Sequence, residues 1–266
     1  MEADEIKLAW KRPMTLTDAL GIKDREVISL VGGGGKTTLM FTLGEELSSG
    51  RNGVLLTTTT KIWEPAPSPS FALFLSEKFS EMKRWVVDNL QKYSYLVIAQ
   101  KKLTDGKLQG IVPQWVEELD SLPGVSFVLV EGDGAAGRSL KAPREGEPVV
   151  PLNTSLLIPV VGIDALGCPL EEKHVFRSEI AARVLNMALG STVTEAMIAR
   201  LIEEIIKVRP PNAQVMPFIN KVDLPGGLGK ARKLASHLQR IEGVKIERVI
   251  LGQAQGHPIV KEIFLC

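Results

Sequence analysis

Cysteine is nearly absent: Cys168 and Cys266 are the two in 266 residues, far apart and part of no motif. That excludes a disulfide framework and fits a reducing compartment. Histidine is as scarce; His174, His237 and His257 show no metal-ligand spacing. Neither sign of charge dominates, with 32 Lys and Arg against 31 Asp and Glu and a net charge of +1. No global field therefore favours nucleic acid or an acidic membrane. No apolar run approaches the length of a membrane span. The opening Met1-Glu2-Ala3-Asp4-Glu5 is too acidic for a signal peptide. Repeats and low-complexity tracts are missing too. The reading is a soluble cytoplasmic protein with no nucleic-acid or membrane partner. What is abundant is apolar content, 44% of the chain, enough for a sizeable core in one large domain or one with a small annex.

Patterning along the chain alternates strands with helices. Residues 1–25 read as a lead-in with a short helical pattern at Leu16 to Leu20 that Gly21 stops. Residues 26–266 read as one domain. Its predicted strands are 26–31, 54–60, 95–100, 125–130, 155–163, 215–219 and 245–251. Predicted helices follow at 39–47, 76–92, 113–122 and 228–241, and Thr104-Asp105-Gly106-Lys107 signals a hairpin turn. A helical insertion is expected at about 165–212, with helices at 178–189 and 193–207 and a capping box made by Thr192 and Glu195. Trp63, Trp85 and Trp115 are expected to pack. Strands alternating with helices argue for an α/β fold: a mostly parallel sheet, helices on both faces, P-loop NTPase-like.

The most informative segment is Gly32-Gly33-Gly34-Gly35-Lys36-Thr37-Thr38, which follows the first strand and opens the first long helix. Strand, glycine loop, Gly-Lys-Thr and helix is the order of a phosphate-binding loop. Consecutive glycines let backbone N–H groups turn around a polyanion, and the helix start aims its positive end at it. Lys36 would reach the outer phosphates as a catalytic cation, and the Thr37 hydroxyl would join a Mg²⁺ shell. The usual pattern has an earlier glycine where this chain has Leu30. The tighter Gly-x-x-Gly-Lys-Thr spacing resembles the ATP loop of the Mur ligases as much as that of a Ras-like GTPase. A glycine turn holding nothing is the plain alternative.

Two further segments extend this reading. Asn220-Lys221-Val222-Asp223 follows a predicted strand and has the Asn-Lys-x-Asp form that reads guanine. The Asp223 carboxylate would accept from the ring N–H and the exocyclic amine, the Lys221 stem would cover the base, and Asn220 would tie the loop together. An ordinary turn is the alternative, since Asn and Asp favour turns. Glu131-Gly132-Asp133-Gly134 ends a central strand, where a carboxylate can hold Mg²⁺. Glu131 and Asp133 lie two apart and share a face, so either could hold the metal while the other orients water. Gly137 comes too late for a Ras-like switch and no catalytic glutamine follows, which argues against fast hydrolysis. Arg138, Lys141 and Arg144 form either a clamp for a γ-phosphate or anionic substrate, or a solvated basic loop. The threonines 57–60 either meet Mg²⁺ or phosphate or are simply good strand formers.

Taken in order, Val-Gly-Gly-Gly-Gly-Lys-Thr-Thr, Thr-Thr-Thr-Thr-Lys, Val-Glu-Gly-Asp-Gly-Ala-Ala-Gly-Arg-Ser-Leu-Lys-Ala-Pro, Gly-Ile-Asp-Ala-Leu-Gly and Asn-Lys-Val-Asp resemble the YqeC family from about Ile28 to about Gly256. These are accessory proteins of selenium-dependent molybdenum hydroxylases. The family's usual Glu-Ala-Asp-Gly has Gly132 in second place here. The resemblance implies a nucleotide-binding role in assembling or inserting the selenium-containing cofactor, with a molybdenum hydroxylase or cofactor-assembly protein as partner. Nothing in composition or spacing shows selenium or molybdenum.

These readings together predict a GTP-binding, Mg²⁺-dependent NTPase with slow hydrolysis of its own. Gly32 to Thr38, Asn220, Lys221 and Asp223 would hold the nucleotide; Thr37 with Glu131 or Asp133 would hold the metal. Lys36, Asp133 and Arg138 would serve catalysis. An ATP-dependent ligase or kinase acting on a small anionic cofactor precursor is one alternative. A non-catalytic, nucleotide-gated chaperone is the other.

Overall fold

The computed structural model describes residues 14–49 and 53–266. The acidic opening at Met1 to Glu5 lies outside the described residues, and so does Gly50 of Ser48-Ser49-Gly50, the small-residue stop that the sequence suggests for the first long helix. In chain order the elements are α1 (Leu16–Leu20), β1 (Glu26–Gly32), α2 (Lys36–Ser48), β2 (Val54–Thr58), β3 (Lys61–Trp63), β4 (Phe71–Leu75), α3 (Phe79–Asn89) and β5 (Tyr95–Ala99). Then come β6 (Lys101–Lys102), β7 (Lys107–Gln109), α4 (Pro113–Asp120), β8 (Phe127–Glu131), β9 (Leu140–Lys141), β10 (Leu156–Gly162) and a 3-10 turn at Ile163–Ala165. The chain closes with β11 (Val175–Phe176), α5 (Ser178–Leu185), α6 (Glu195–Ile206), β12 (Gln214–Val215), β13 (Phe218–Asn220), α7 (Gly227–Leu238), β14 (Arg248–Gly252) and β15 (Val260–Leu265).

The fold is α/β. One sheet runs β15-β14-β13-β10-β1-β8-β2-β5-β4, with β12 also on β10. Every pair is parallel except β14 with β15. Strands covered on both faces need apolar residues at nearly every position. β1 meets this with all seven residues buried. Its Ile28 and Leu30 point into a core shared with α1 and α2, while Val27 and Val31 point to the opposite face. That second face is covered by α3 and α4 at one end and by α5, α6 and α7 at the other. Two small annexes stand apart: an antiparallel sheet β3-β7-β6 and a parallel pair β9-β11.

The helical stretch expected at 165–212 is present, and it forms part of the main core. Ile198, Leu201, Ile202 and Ile205 of α6 join Val31, Leu157, Val161 and Ile219 of the sheet. Its N-cap is Thr194, whose hydroxyl accepts from Met197 N, and not Thr192. α5 stops at Leu185 because Asn186 turns left-handed and returns its N–H to the preceding carbonyls. The strand expected at 215–219 is split into β12 and β13 around Pro217, which has no N–H for a ladder. Trp85 stacks on Phe74 and Trp115 packs against Phe79. Trp63 does not pack inside: it is 65% exposed beneath the Lys107 ammonium. Among the described residues no helix is long and apolar enough to cross a membrane.

Candidate functional site

The strand order brings the carboxyl ends of β8, β1, β10 and β13 side by side, the edge where open parallel sheets bind ligands. The glycine loop sits at its centre, between β1 and α2. Gly34 and Gly35 have φ of 79° and 115°. A Cβ on Gly34 would lie 2.2 Å from Gly162 N, and one on Gly35 2.4 Å from Asn220 Nδ2. Only glycine satisfies both constraints. Gly33 N donates to Val160 O and Gly34 N to Arg138 O, each at 2.9 Å. The first helical bond of α2 runs from Leu39 N to Gly35 O, so the amides of Lys36, Thr37 and Thr38 precede the ladder. Gly35 as N-cap offers them no side-chain acceptor.

Beside this loop lies a chain of buried charges. Lys36 Nζ donates to Gly32 O at 2.7 Å and lies 3.3 Å from Asp133 Oδ1 and 3.6 Å from Glu131 Oε1. Burial works against the Lys36 ammonium, yet Asp133 and Glu131 outweigh it and hold its pKa above the ordinary lysine value. Burial pushes the Glu131 carboxyl up, with Lys36 and Thr37 opposing. Asp133 is fully buried, and both its oxygens are taken. Gly32 N donates to each at 3.0 Å, and Lys141 Nζ lies 3.0 Å from Oδ2. Glu131 Oε2 accepts from the Thr37 hydroxyl at 2.6 Å. A hydroxyl beside a carboxylate is a pair of hard oxygens that fits Mg²⁺; Asp133, with its lone pairs spent on donors, fits less well. No group of three or more His, Cys, Asp or Glu that could hold a metal occurs among the described residues.

Lys141 is neither a phosphate clamp nor part of a solvated basic loop. It is fully buried between Asp133 and Glu147, the latter at 3.2 Å, and also donates to Gly134 O. Glu147 in turn receives the Arg177 guanidinium through two bonds of 2.7 and 3.0 Å and Arg144 at 2.8 Å. Its burial favours the neutral acid, but Arg177 and Lys141 bring its pKa down to about 2. Arg138 is half-buried, and its guanidinium donates to the carbonyls of Ala136 and Glu172. Three of the threonine hydroxyls, those of Thr57, Thr58 and Thr59, are also committed. Thr57 donates to Ile98 O, Thr58 to Glu131 O and Thr59 to Val149 O.

On the other side of the glycine loop, Asn220 joins two walls of a cleft. Its Nδ2 donates to Gly34 O at 2.7 Å, while its Oδ1 accepts from Ala254 N at 2.7 Å and from Lys221 N. The cleft, about 270 Å³, is lined by Gly35, Thr38, Lys221, Asp223 and Gln253 to Gln255, among others. Asp223 is exposed there. Lys221 turns its ammonium to Ser139 Oγ and Asp164 Oδ2, each at 2.7 Å. His174, His237, His257 and Cys168 take no part in these contacts.

Residues 28–179 match the family described as YqeC protein. The chain belongs to the YqeC family. A relative from Escherichia coli (strain K12), named "Uncharacterized protein YqeC", is 29% identical over 269 residues, covering 95% of this chain and 97% of its own. In this YqeC chain the sequence-predicted residues Gly32 to Thr38, Glu131, Asp133, Asn220, Lys221 and Asp223 surround one edge of one sheet. Arg138 adjoins them through its carbonyl, not its guanidinium. Sequence reasoning missed Glu147, Arg177, Ser139, Asp164 and the loop Gln253 to Gly256. The last had a signal: Gly252-Gln253-Ala254-Gln255-Gly256 is a glycine-bounded loop after the last predicted strand.

Proposed function

We propose that this protein is a P-loop nucleoside triphosphatase that binds GTP with Mg²⁺. The observation that carries this reading is the Asn220 bridge from Gly34 O to Ala254 N, which makes the glycine loop and the Asn-Lys-x-Asp turn the two ends of one cleft. The amides at the start of α2 and the Lys36 ammonium would hold the phosphates. Thr37 and Glu131 would hold the metal, which supplies charge neutralisation at the phosphates. Asp133 keeps the Lys36 head beside the loop. As Lys36 turns to a phosphate, Glu131 loses its nearest cation, so metal and nucleotide binding reinforce one another. A catalytic part for Arg138 requires its guanidinium to leave two carbonyls. The same family membership supports a cellular role as accessory factor in maturing selenium-dependent molybdenum hydroxylases, in line with the resemblance of its motifs.

A second reading, an ATP-dependent ligase or kinase acting on a small anionic precursor, is favoured by the Gly32-to-Thr37 spacing. Equilibrium binding of Mg²⁺-GTP, Mg²⁺-ATP and Mg²⁺-xanthosine triphosphate to wild type and Asp223→Asn separates the two. GTP preference that moves to the xanthine nucleotide in the variant supports the first. Equal or better ATP binding, indifferent to position 223, makes the second the better account.

A further inference from the structure

Lys221 is one of few non-glycine residues with positive φ, at 65°, a conformation that costs free energy for a side chain with a Cβ. The twist carries its ammonium away from the cleft and onto two groups from distant segments, Ser139 Oγ and Asp164 Oδ2, both at 2.7 Å. These meet directly over Gly162. A Cβ placed on Gly162 would lie 2.5 Å from Asp164 Oδ1 and 2.6 Å from Ser139 Oγ. Gly162 N donates to Ser139 O at 2.9 Å, and Gly34 packs against the same glycine. The three side chains thus form a cap on the outer side of the glycine loop. Lys221 still lines the cleft that also holds Asp223. With its head anchored behind the loop, what it offers the cleft is its hydrocarbon stem.

We propose that Ser139 and Asp164 are positioning residues for base recognition: by holding the Lys221 head they set its stem as one fixed wall of the base cleft. The proposal rests on the nucleotide reading above and assigns to two residues outside the Asn-Lys-x-Asp turn a share of its specificity. A wall held at both ends loses little conformational freedom when a flat ring stacks on it. A free lysine would have to be ordered first.

The test compares binding of Mg²⁺-GTP with binding of Mg²⁺-tripolyphosphate, which has no base, in wild type, Ser139→Ala and Asp164→Asn. The expected result is that the ratio of the two affinities falls about tenfold in each variant, the scale of one charge-assisted hydrogen bond. A drop shared equally by both ligands, with the ratio unchanged, would mean a merely structural contact and overturns the proposal. So would an unchanged affinity for both. Asp164→Asn keeps the shape of a side chain that is 36% exposed, so it provides the measurement even where Ser139→Ala folds poorly. Failure of wild type to bind either ligand overturns the nucleotide reading itself, and this inference with it. Binding of both by wild type with a flat ratio in the variants overturns this inference alone.

Discussion

Lys36 stands between two buried carboxylates, and its removal tests more than ligand binding. Asp133 and Glu131 are 0% and 4% exposed, and each counts Lys36 among its cations. Breaking a buried pair by deleting one partner strands a charge and costs about 3–5 kcal/mol. Lys36→Met is therefore expected to lower unfolding free energy by that order in urea titrations, and to abolish Mg²⁺-GTP binding in the folded fraction. Unchanged stability would mean that Lys141 and the Gly32 amide satisfy Asp133, and the Thr37 hydroxyl Glu131, without it. At this scale the place of Lys36 at the end of the glycine loop and the start of α2 was legible in the sequence, because it follows from neighbours one to four positions away. Lys141 was not. Nothing in Arg-Ser-Leu-Lys-Ala-Pro-Arg marks one of three cations as buried, because its acceptors Asp133 and Glu147 reach it through the fold of the loop.

Among the elements, α6 shows how a local rule can name the right helix and the wrong cap. Thr192 and Glu195 have capping-box spacing, yet Thr194 takes the cap and bonds Met197 N at 3.4 Å. Pro169 and Thr192 form a β-bridge, so Thr192 is already extended before the helix begins. Thr194→Ala is expected to cost about 1 kcal/mol in chemical denaturation. Thr192→Ala should leave the midpoint nearly unmoved. Central strands were legible as apolar runs. The edge strands β4 and β15 were not: β4 is a five-residue apolar run that periodicity alone does not tell from a buried helix segment, and β15 shows neither a continuous apolar run nor clear alternation.

At the scale of the whole molecule, Glu147, in the loop between β9 and β10, ties β9 to the start of α5. Lys141 lies on β9 and Arg177 follows β11, and the β9-β11 pairing brings both cations to one carboxylate. Its pKa is lowered from 4.5 to about 2. A carboxylate with a depressed folded value contributes its stabilisation above its unfolded value and loses it as pH falls through the folded one. The contribution, on the order of 3 kcal/mol for such a shift, should therefore be present above pH 4.5 and decline toward pH 2. Glu147→Gln should be less stable at neutral pH and show a flatter stability profile across that window, measured by thermal unfolding from pH 6 downward. An equally steep profile in the variant would assign the acid sensitivity to other carboxylates.

The sequence by itself determined the glycine turn between β1 and α2, because glycines reach at no steric cost the positive φ that Gly34 and Gly35 adopt in a tight strand-to-helix turn and that other residues avoid. It likewise determined the alternation of strands with helices, since both follow from periodicity within a few residues. Only the tertiary structure decided that β13 lies two strands from β1, with β10 between them. That order lets Asn220 bond Gly34 across 186 residues of chain. It also decided that Ser139, Asp164 and Lys221 meet. Strand order is set by how helices cover the two faces of the sheet, a non-local property of packing that no local pattern records.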